Sequence, residues 1–247
     1  MIAAFIALAL VGLWQLYAAV GGVDPIVLPA PSDVAKAVWD DRGVLGSNLA
    51  VTAEEVALGL LIAIAAAILL ALAIHLSPTL RRAVLPLLVA SQAVPIVIVA
   101  PLLVAWLGYN LAPRLVIVAV VAFFPIVVTT LDGLAGADPS LHKLLRTLGA
   151  SRWQSLRHVD APSALPALLS GTKIAVAVAV IGAVFAEQAG STDGLGHLAT
   201  QASNQLETPR AYAAVVVLAA LAIALFGTLA LAERRLVPWA HQKGTST

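Results

Sequence analysis

The chain has 247 residues, of which 61% are hydrophobic and 11% charged; the formal net charge is +1 and there is no cysteine. An average soluble domain carries roughly 25% charged residues, so this much apolar surface exceeds what one soluble core can hide, and lipid is the solvent that suits it. Disulfides, thiolate catalysis, iron–sulfur clusters and cysteine zinc sites are excluded, and about six spans of roughly 20 residues each leave no room for a soluble catalytic domain.

The first apolar run, Ile2 to about Val20, lacks a basic start and a clear cleavage site, and reads as a retained helix rather than a removed signal peptide. Prolines 25, 29 and 31 then forbid a continuing helix. Ser32 or Asp33 caps a short helix ending near Asp41, expected at the interface because Val34, Ala37 and Val38 mix with Asp33, Lys36 and Asp40. A second span is expected from about Leu49 to Ile74, with Glu54 and Glu55 at the water boundary or in a protein interior. The third covers about Ala83 to Leu107 despite Pro86, Pro95 and Pro101, and the fourth about Leu111 to Leu134 with Pro125 inside it. A polar segment from Ala135 to about Pro166 follows. The fifth span is expected over Ala167 to Ala186 and the sixth over Ala211 to about Leu231, before a basic tail that includes Lys243.

Basic residues set the orientation. Arg81, Arg82, Lys143, Arg146, Arg152, Arg157, Lys173, Arg234, Arg235 and Lys243 fall on one side, against Lys36, Arg42, Arg114 and Arg210 on the other. Six spans with this bias put both termini in the cytoplasm. Span centres hold almost no ionisable groups, unlike pumps and proton-coupled carriers; Glu54, Glu55, His75, Asp132, Lys173 and Glu187 all lie near span ends. The five histidines, His241 among them, are scattered. No HExxH, Gly-Lys-Ser/Thr phosphate loop or GxSxG occurs. No catalytic constellation, metal set or cofactor motif emerges, and nothing points to nucleic acid.

The polar segment reads as a helix, a glycine break, a second amphipathic helix and a proline stop. Asp138 caps the first helix at Pro139, and Gly149 takes the left-handed conformation that ends it. Trp153, Leu156 and Val159 are expected near one face of the second, and Pro162 is expected to stop it. Gly149, Val159, Ala161 and Pro162 have the spacing of the EAA loop, and the segment resembles that loop in the permeases of binding-protein-dependent ABC importers. Lys143-Leu144-Leu145 stands where the name-giving Glu-Ala-Ala would be, and Ala161 replaces the usual Leu.

Further segments resemble the same family. They are Leu28 to Val34; Gln92-Ala93-Val94-Pro95 with Ala100 to Gly108; Phe123 to Ile126; Gly182 to Glu187 with Gly194-Leu195-Gly196; and Glu233-Arg234-Arg235 with Pro238-Trp239. Together they are similar to the nitrate/sulfonate/taurine-type group. Trp106 to Tyr109, Phe123-Phe124-Pro125 and Asp132-Gly133 look most like permeases for thiamine-precursor pyrimidines.

The resemblance implies an all-α membrane protein of the type I importer fold, one permease domain over residues 1–247, in a bacterial inner membrane. It implies a second copy of the chain, two separate ATPase subunits and an external substrate-binding protein as partners. It also implies an ATPase-coupling surface formed by Leu141, Lys143, Leu144, Leu145, Arg146, Leu148, Gly149, Ala150, Ser151, Arg152, Trp153 and Pro162. For Arg152 and Trp153 the alternative to ATPase contact, given equal weight, is anchoring at the headgroup boundary. Gln92, Pro95, Thr129 and Glu187 are the candidates for pathway or gate. For Gln92 and Thr129 the alternative is bonding between helices, for Pro95 a local break, and for Glu187 a solvated helix end. Taurine, sulfonate or nitrate are alternative substrates, and an ATP-independent secondary carrier is the alternative class.

Overall fold

The computed structural model describes residues 2–22 and 24–238; Trp239, His241 and Lys243 of the expected tail lie outside these. Eleven helices and no strand occur among the described residues. They are α1 Ile2–Val20, α2 Pro31–Asp40, α3 Arg42–Leu76, α4 Pro78–Ser91, α5 Ile96–Leu107, α6 Leu111–Ala135, α7 Pro139–Thr147, α8 Arg152–Ser155, α9 Ala161–Gly190, α10 Leu195–Asn204 and α11 Thr208–Leu236. A π-helical turn, Leu156–Asp160, joins α8 to α9.

Local chemistry sets several boundaries. Ser77 Oγ accepts from Leu80 N at 3.3 Å, and Pro78 occupies the first helical position of α4. Asn110 Oδ1 accepts from Ala112 N at 2.8 Å to start α6. At α2 the Asp33 carboxylate sits inside the first turn and accepts from Ala30 N at 3.3 Å.

Four stretches are long and apolar enough to cross a membrane: α3, α6, the continuous run Arg152–Gly190, and α11. The α4–α5 pair makes a fifth only as a broken span, bent by 99°. Helix α1 adds a shorter apolar stretch, Phe5–Val20. The all-helical membrane class is as expected, but a continuous third span from Ala83 to Leu107 is not what forms. Pro95 has no N–H to donate and pushes Val94 out of the helical region, so the chain turns at Gln92–Pro95. Pro162 does not stop its helix either. It lies in the first turn of α9, directly after the π turn, whose Ala161 N–H reaches back five residues to Leu156 O. The wide turn leaves room for the ring that an ordinary α-turn would oppose.

Helix α6 is the centre of the bundle. It runs parallel to α3 and antiparallel to α9, as the contacts show: Gly59 lies against Val118, whereas Gly133 lies against Ala164, Gly171 against Thr129 and Gly182 against Val121. A Cβ on Gly171 would fall 1.8 Å from Thr129 Oγ1, and one on Gly182 would fall 2.6 Å from Val121 Cγ2. Only glycine allows this approach of α9 to α6. Ala63, Ala67, Ala122, Val127, Ala175, Ala179 and Ala183 fill the seams between the three helices. The run Arg152–Gly190 has 39 residues, roughly 58 Å at 1.5 Å per residue. That exceeds the ~30 Å hydrocarbon layer, so its ends stand in water at both faces. One end of the bundle carries α7 and α8; the opposite end carries α10.

Candidate functional site: a hairpin, a helix break and a buried carboxylate

Each end of the bundle, and the bend between α4 and α5, holds one group of sequence-predicted residues. At the first end, Asp138 Oδ1 accepts from Ser140 N at 2.8 Å and starts α7 behind Pro139. Gly149 has φ +75°, and its N–H and that of Ala150 close on Arg146 O and Leu145 O at 3.0 and 2.9 Å. This double closure ends the helix as the sequence predicts. Ser151 and Gln154 then bond reciprocally, Gln154 N to Ser151 Oγ and Ser151 N to Gln154 Oε1, and begin α8.

This hairpin leaves an apolar surface in the open. Leu141, Leu144, Leu148 and Trp153 are 44%, 55%, 72% and 65% exposed. Lys143, Arg146, Ser151 and Arg152 are exposed around them, Leu145 and Ala150 half-buried, and Pro162 exposed beyond. Trp153 departs from the expected face. Leu156 and Val159 are buried, Leu156 against Ala71, Leu134 and Ala164. The turn before them carries Trp153 outward, because the π turn, not a regular helix, sets their relative angle.

At the bend, Ser91, Gln92, Val94, Pro95 and Ile96 meet Val120, Val121, Val178 and Ile181 around a cavity of about 310 Å³. Gln92 and Pro95 therefore share one site, which contains no charged side chain. Thr129 is not part of it. Its Oγ1 donates to Pro125 O at 2.8 Å within its own helix, beside Gly171.

At the opposite end Glu187 is fully buried. Its Oε1 accepts from Thr52 Oγ1 at 2.6 Å, and its Oε2 from Gly196 N at 2.5 Å and His197 N at 3.4 Å. The carboxylate thus caps the N-terminus of α10, where the helix dipole favours an anion. Asn48 Oδ1 takes Gly194 N at 2.7 Å, and Thr52 Oγ1 takes Leu195 N at 2.9 Å. Gly194 has φ +106°, and a side chain there would run into the Glu187 carboxylate. One turn away Arg114 pairs with buried Glu55 and donates to Ser191 Oγ at 3.1 Å. Sequence reading missed the Glu55–Arg114 pair, which joins residues 59 apart; the only hint was Arg114 among the few basic residues on that side. Among the described residues no group of three or more His, Asp or Glu side chains is arranged to hold a metal ion.

These features, long apolar helices packed parallel and antiparallel, a sharply bent helix pair and an exposed apolar and basic hairpin at one end, define a helical membrane protein. The chain belongs to the family described as the inner membrane component of binding-protein-dependent transport systems, whose model matches residues 59–238; it is an ABC importer permease. It is 34% identical to the formylaminopyrimidine transport permease protein ThiX of Halalkalibacterium halodurans, over 94% of this chain and 93% of that protein. It is 33% identical to the riboflavin transport system permease protein RibX of Chloroflexus aurantiacus, over 92% and 85%. It is 30% identical to the taurine transport system permease protein TauC of Escherichia coli, over 93% and 86%. A crystal structure of an amino acid ABC transporter matches with a TM-score of 0.62 at 19% identity, over 81% of this chain and 97% of that one. That likeness concerns the fold alone.

Proposed function

We propose that this chain forms the solute pathway of an ATP-driven importer and couples to a separate ATPase through the α7–α8 hairpin. The observation that carries the reading is the hairpin surface itself. Four large apolar side chains are exposed among basic and polar residues at the end of the bundle, outside its long apolar helices, and apolar patches of this kind mark partner sites. Lys143, Arg146 and Arg152 ring the patch and give it a basic rim, as protein interfaces commonly have polar rims. A pair of these permeases, one ATPase under each hairpin, is the assembly that follows. The basic end then faces the cytoplasm, with both chain termini. The opposite end holds an open cleft of about 710 Å³ between α2 and α11, flanked by Asp33, Lys36, Asp40, Asp41, Glu207 and Arg210. This is the surface offered to the substrate-binding protein.

The cargo we propose is a small neutral heterocycle of the aminopyrimidine type. Two observations support it over a sulfonate or nitrate. The full-length relative at 34% identity is a formylaminopyrimidine permease, and the cavity at the helix break offers Ser91 and Gln92 among apolar side chains with no cation to hold an anion. Co-purification from membranes with whatever ATPase and binding protein are encoded beside this gene is the test. A complex whose ATP hydrolysis rises with pyrimidine-loaded binding protein supports the reading. Stimulation by taurine instead would replace the cargo and keep the role. A chain that transports without any ATPase would end the importer reading.

A further inference from the structure

Helix α7 buries none of its residues fully, so little hydrophobic packing attaches it to the bundle. His142 gives it two polar contacts, one of them to a buried carboxylate. Asp160, at the end of the π turn, is 4% exposed. Its Oδ2 accepts from Nε2 of His75, in the last turn of α3, at 3.2 Å across 85 residues of sequence. Its Oδ1 lies 3.1 Å from Nε2 of His142 on α7, a close approach off the line of a hydrogen bond. His142 Nδ1 lies 2.9 Å from Ser155 Oγ. A carboxylate only accepts, so the His75 ring is assigned protonated at Nε2.

We propose that Asp160 is the joint that carries movement of the hairpin into the spanning helices, with His142 as its grip on α7 and His75 as its grip on α3. The proposal rests on the reading of the hairpin as the ATPase-coupling surface. The physical reason is the cost of leaving a buried carboxylate unpaired. Displacing α7 pulls His142 from Asp160, unless Asp160 and the turn that bears it follow. That turn is a π turn, a form found mostly as single-turn bulges at functional sites. It leads without interruption into α9, while His75 ties the same carboxylate to α3. Both α9 and α3 pack on α6, and the α6–α9 side lines the cavity at the helix break. One group therefore addresses the two helices that flank the bundle's centre.

The experiment uses the whole transporter, this chain with its ATPase and binding protein in proteoliposomes, and reads solute imported per ATP hydrolysed. Asp160→Asn and His75→Gln are each expected to co-purify with the ATPase and continue to hydrolyse ATP, while import per ATP falls about tenfold. The double variant is expected to be no worse than either single one, because residues acting as a unit are not additive. Wild-type import per ATP in His75→Gln, which leaves the hairpin sequence intact, would overturn the proposal even if Asp160→Asn failed to fold. Loss of the ATPase from both variants would also overturn it, since Asp160 would then only shape the docking surface. Failure of the docking reading looks different: the unaltered chain itself would purify without an ATPase.

Discussion

Glu187 Oε1 accepts a 2.6 Å hydrogen bond from Thr52 Oγ1, joining the end of α9 to the start of α3 across 135 residues, while Oε2 holds the first amides of α10. The same side chain thus fixes a long-range contact and a local fold-back. It is a buried fastener rather than a solvated helix end.

Glu187→Ala is expected to cost about 3 kcal/mol, from losing hydrogen bonds to a charged acceptor and leaving buried donors unpaired. Segment 191–206 should become open to protease, because α10 loses its cap. Glu187→Gln keeps one acceptor oxygen and should fall between the two. Thermal unfolding in detergent, with protease mapping on the same samples, checks both expectations.

The Glu55–Arg114 pair is buried on the Glu55 side. Arg114→Met removes the partner of a buried acid, a loss of up to about 3–5 kcal/mol for a broken buried pair, less where Glu55 takes up a proton instead. Adding Glu55→Gln should recover much of it. A double variant less stable than Arg114→Met alone would show that the two charges do not act as a pair.

Gly149 holds φ +75° with no atom near the position of a Cβ, so the objection to a side chain there is conformational. Gly149→Ala should cost about 1–2 kcal/mol of local backbone energy and leave the fold intact. Leu144→Asp and Trp153→Asp place charge on the exposed apolar surface. They are expected to release the ATPase during co-purification while the chain still inserts and remains monodisperse.

Asp41 lies before α3, and Arg210 donates to its Oδ2 and Oδ1 at 2.8 and 2.9 Å. These hydrogen bonds hold its carboxyl below the ordinary aspartate value of 3.8. The unfolded chain therefore takes up this proton first as pH falls. The bridge's contribution is complete above the ordinary value and fades as pH drops through the lowered one. Asp41→Asn should lower stability near neutral pH by up to about 1 kcal/mol, the scale of a partly exposed pair. The gap from the unaltered chain should close in strong acid. A gap that persists there would assign the effect to packing.

Val121→Trp projects bulk from α6 toward the cavity at the α4–α5 bend and toward Gly182. Over-packing of this kind costs about 1–3 kcal/mol. If the cavity is the pathway, a bulkier side chain on its other wall, Val178→Phe, should block import while leaving ATPase association unchanged, as a transport assay in proteoliposomes would read.

Much of the hairpin was legible because its chemistry is local. Asp138 before Pro139 and Gly149 after Leu148 each act within one turn of helix, whereas the reciprocal Ser151–Gln154 cap went unread although it is just as local. The loop's family resemblance rested on the same short spacing. The proline in the third span was less legible. Pro86 and Pro101 stay inside helices and Pro95 breaks one, and sequence alone treats the three alike, since the neighbours that accept or reject a freed carbonyl are distant in the chain. Pro162 was misjudged for a different reason: a π turn ending two residues earlier makes room for it.

The amino-acid sequence alone determined that the chain is a helical membrane protein, where most of its helices lie, and which short segment folds as a capped helical hairpin. These follow from hydropathy summed over about 20 residues and from caps and turns that act over a few. Tertiary structure decided which ionisable groups work together. Asp160 with His75 and His142, Glu55 with Arg114, and Glu187 with Thr52 and α10 are pairings across distant sequence. They exist because α3, α6 and α9 approach closely enough for buried charges to find one another. A charge in an apolar bundle must be paired, but only the packing of the helices says with which partner.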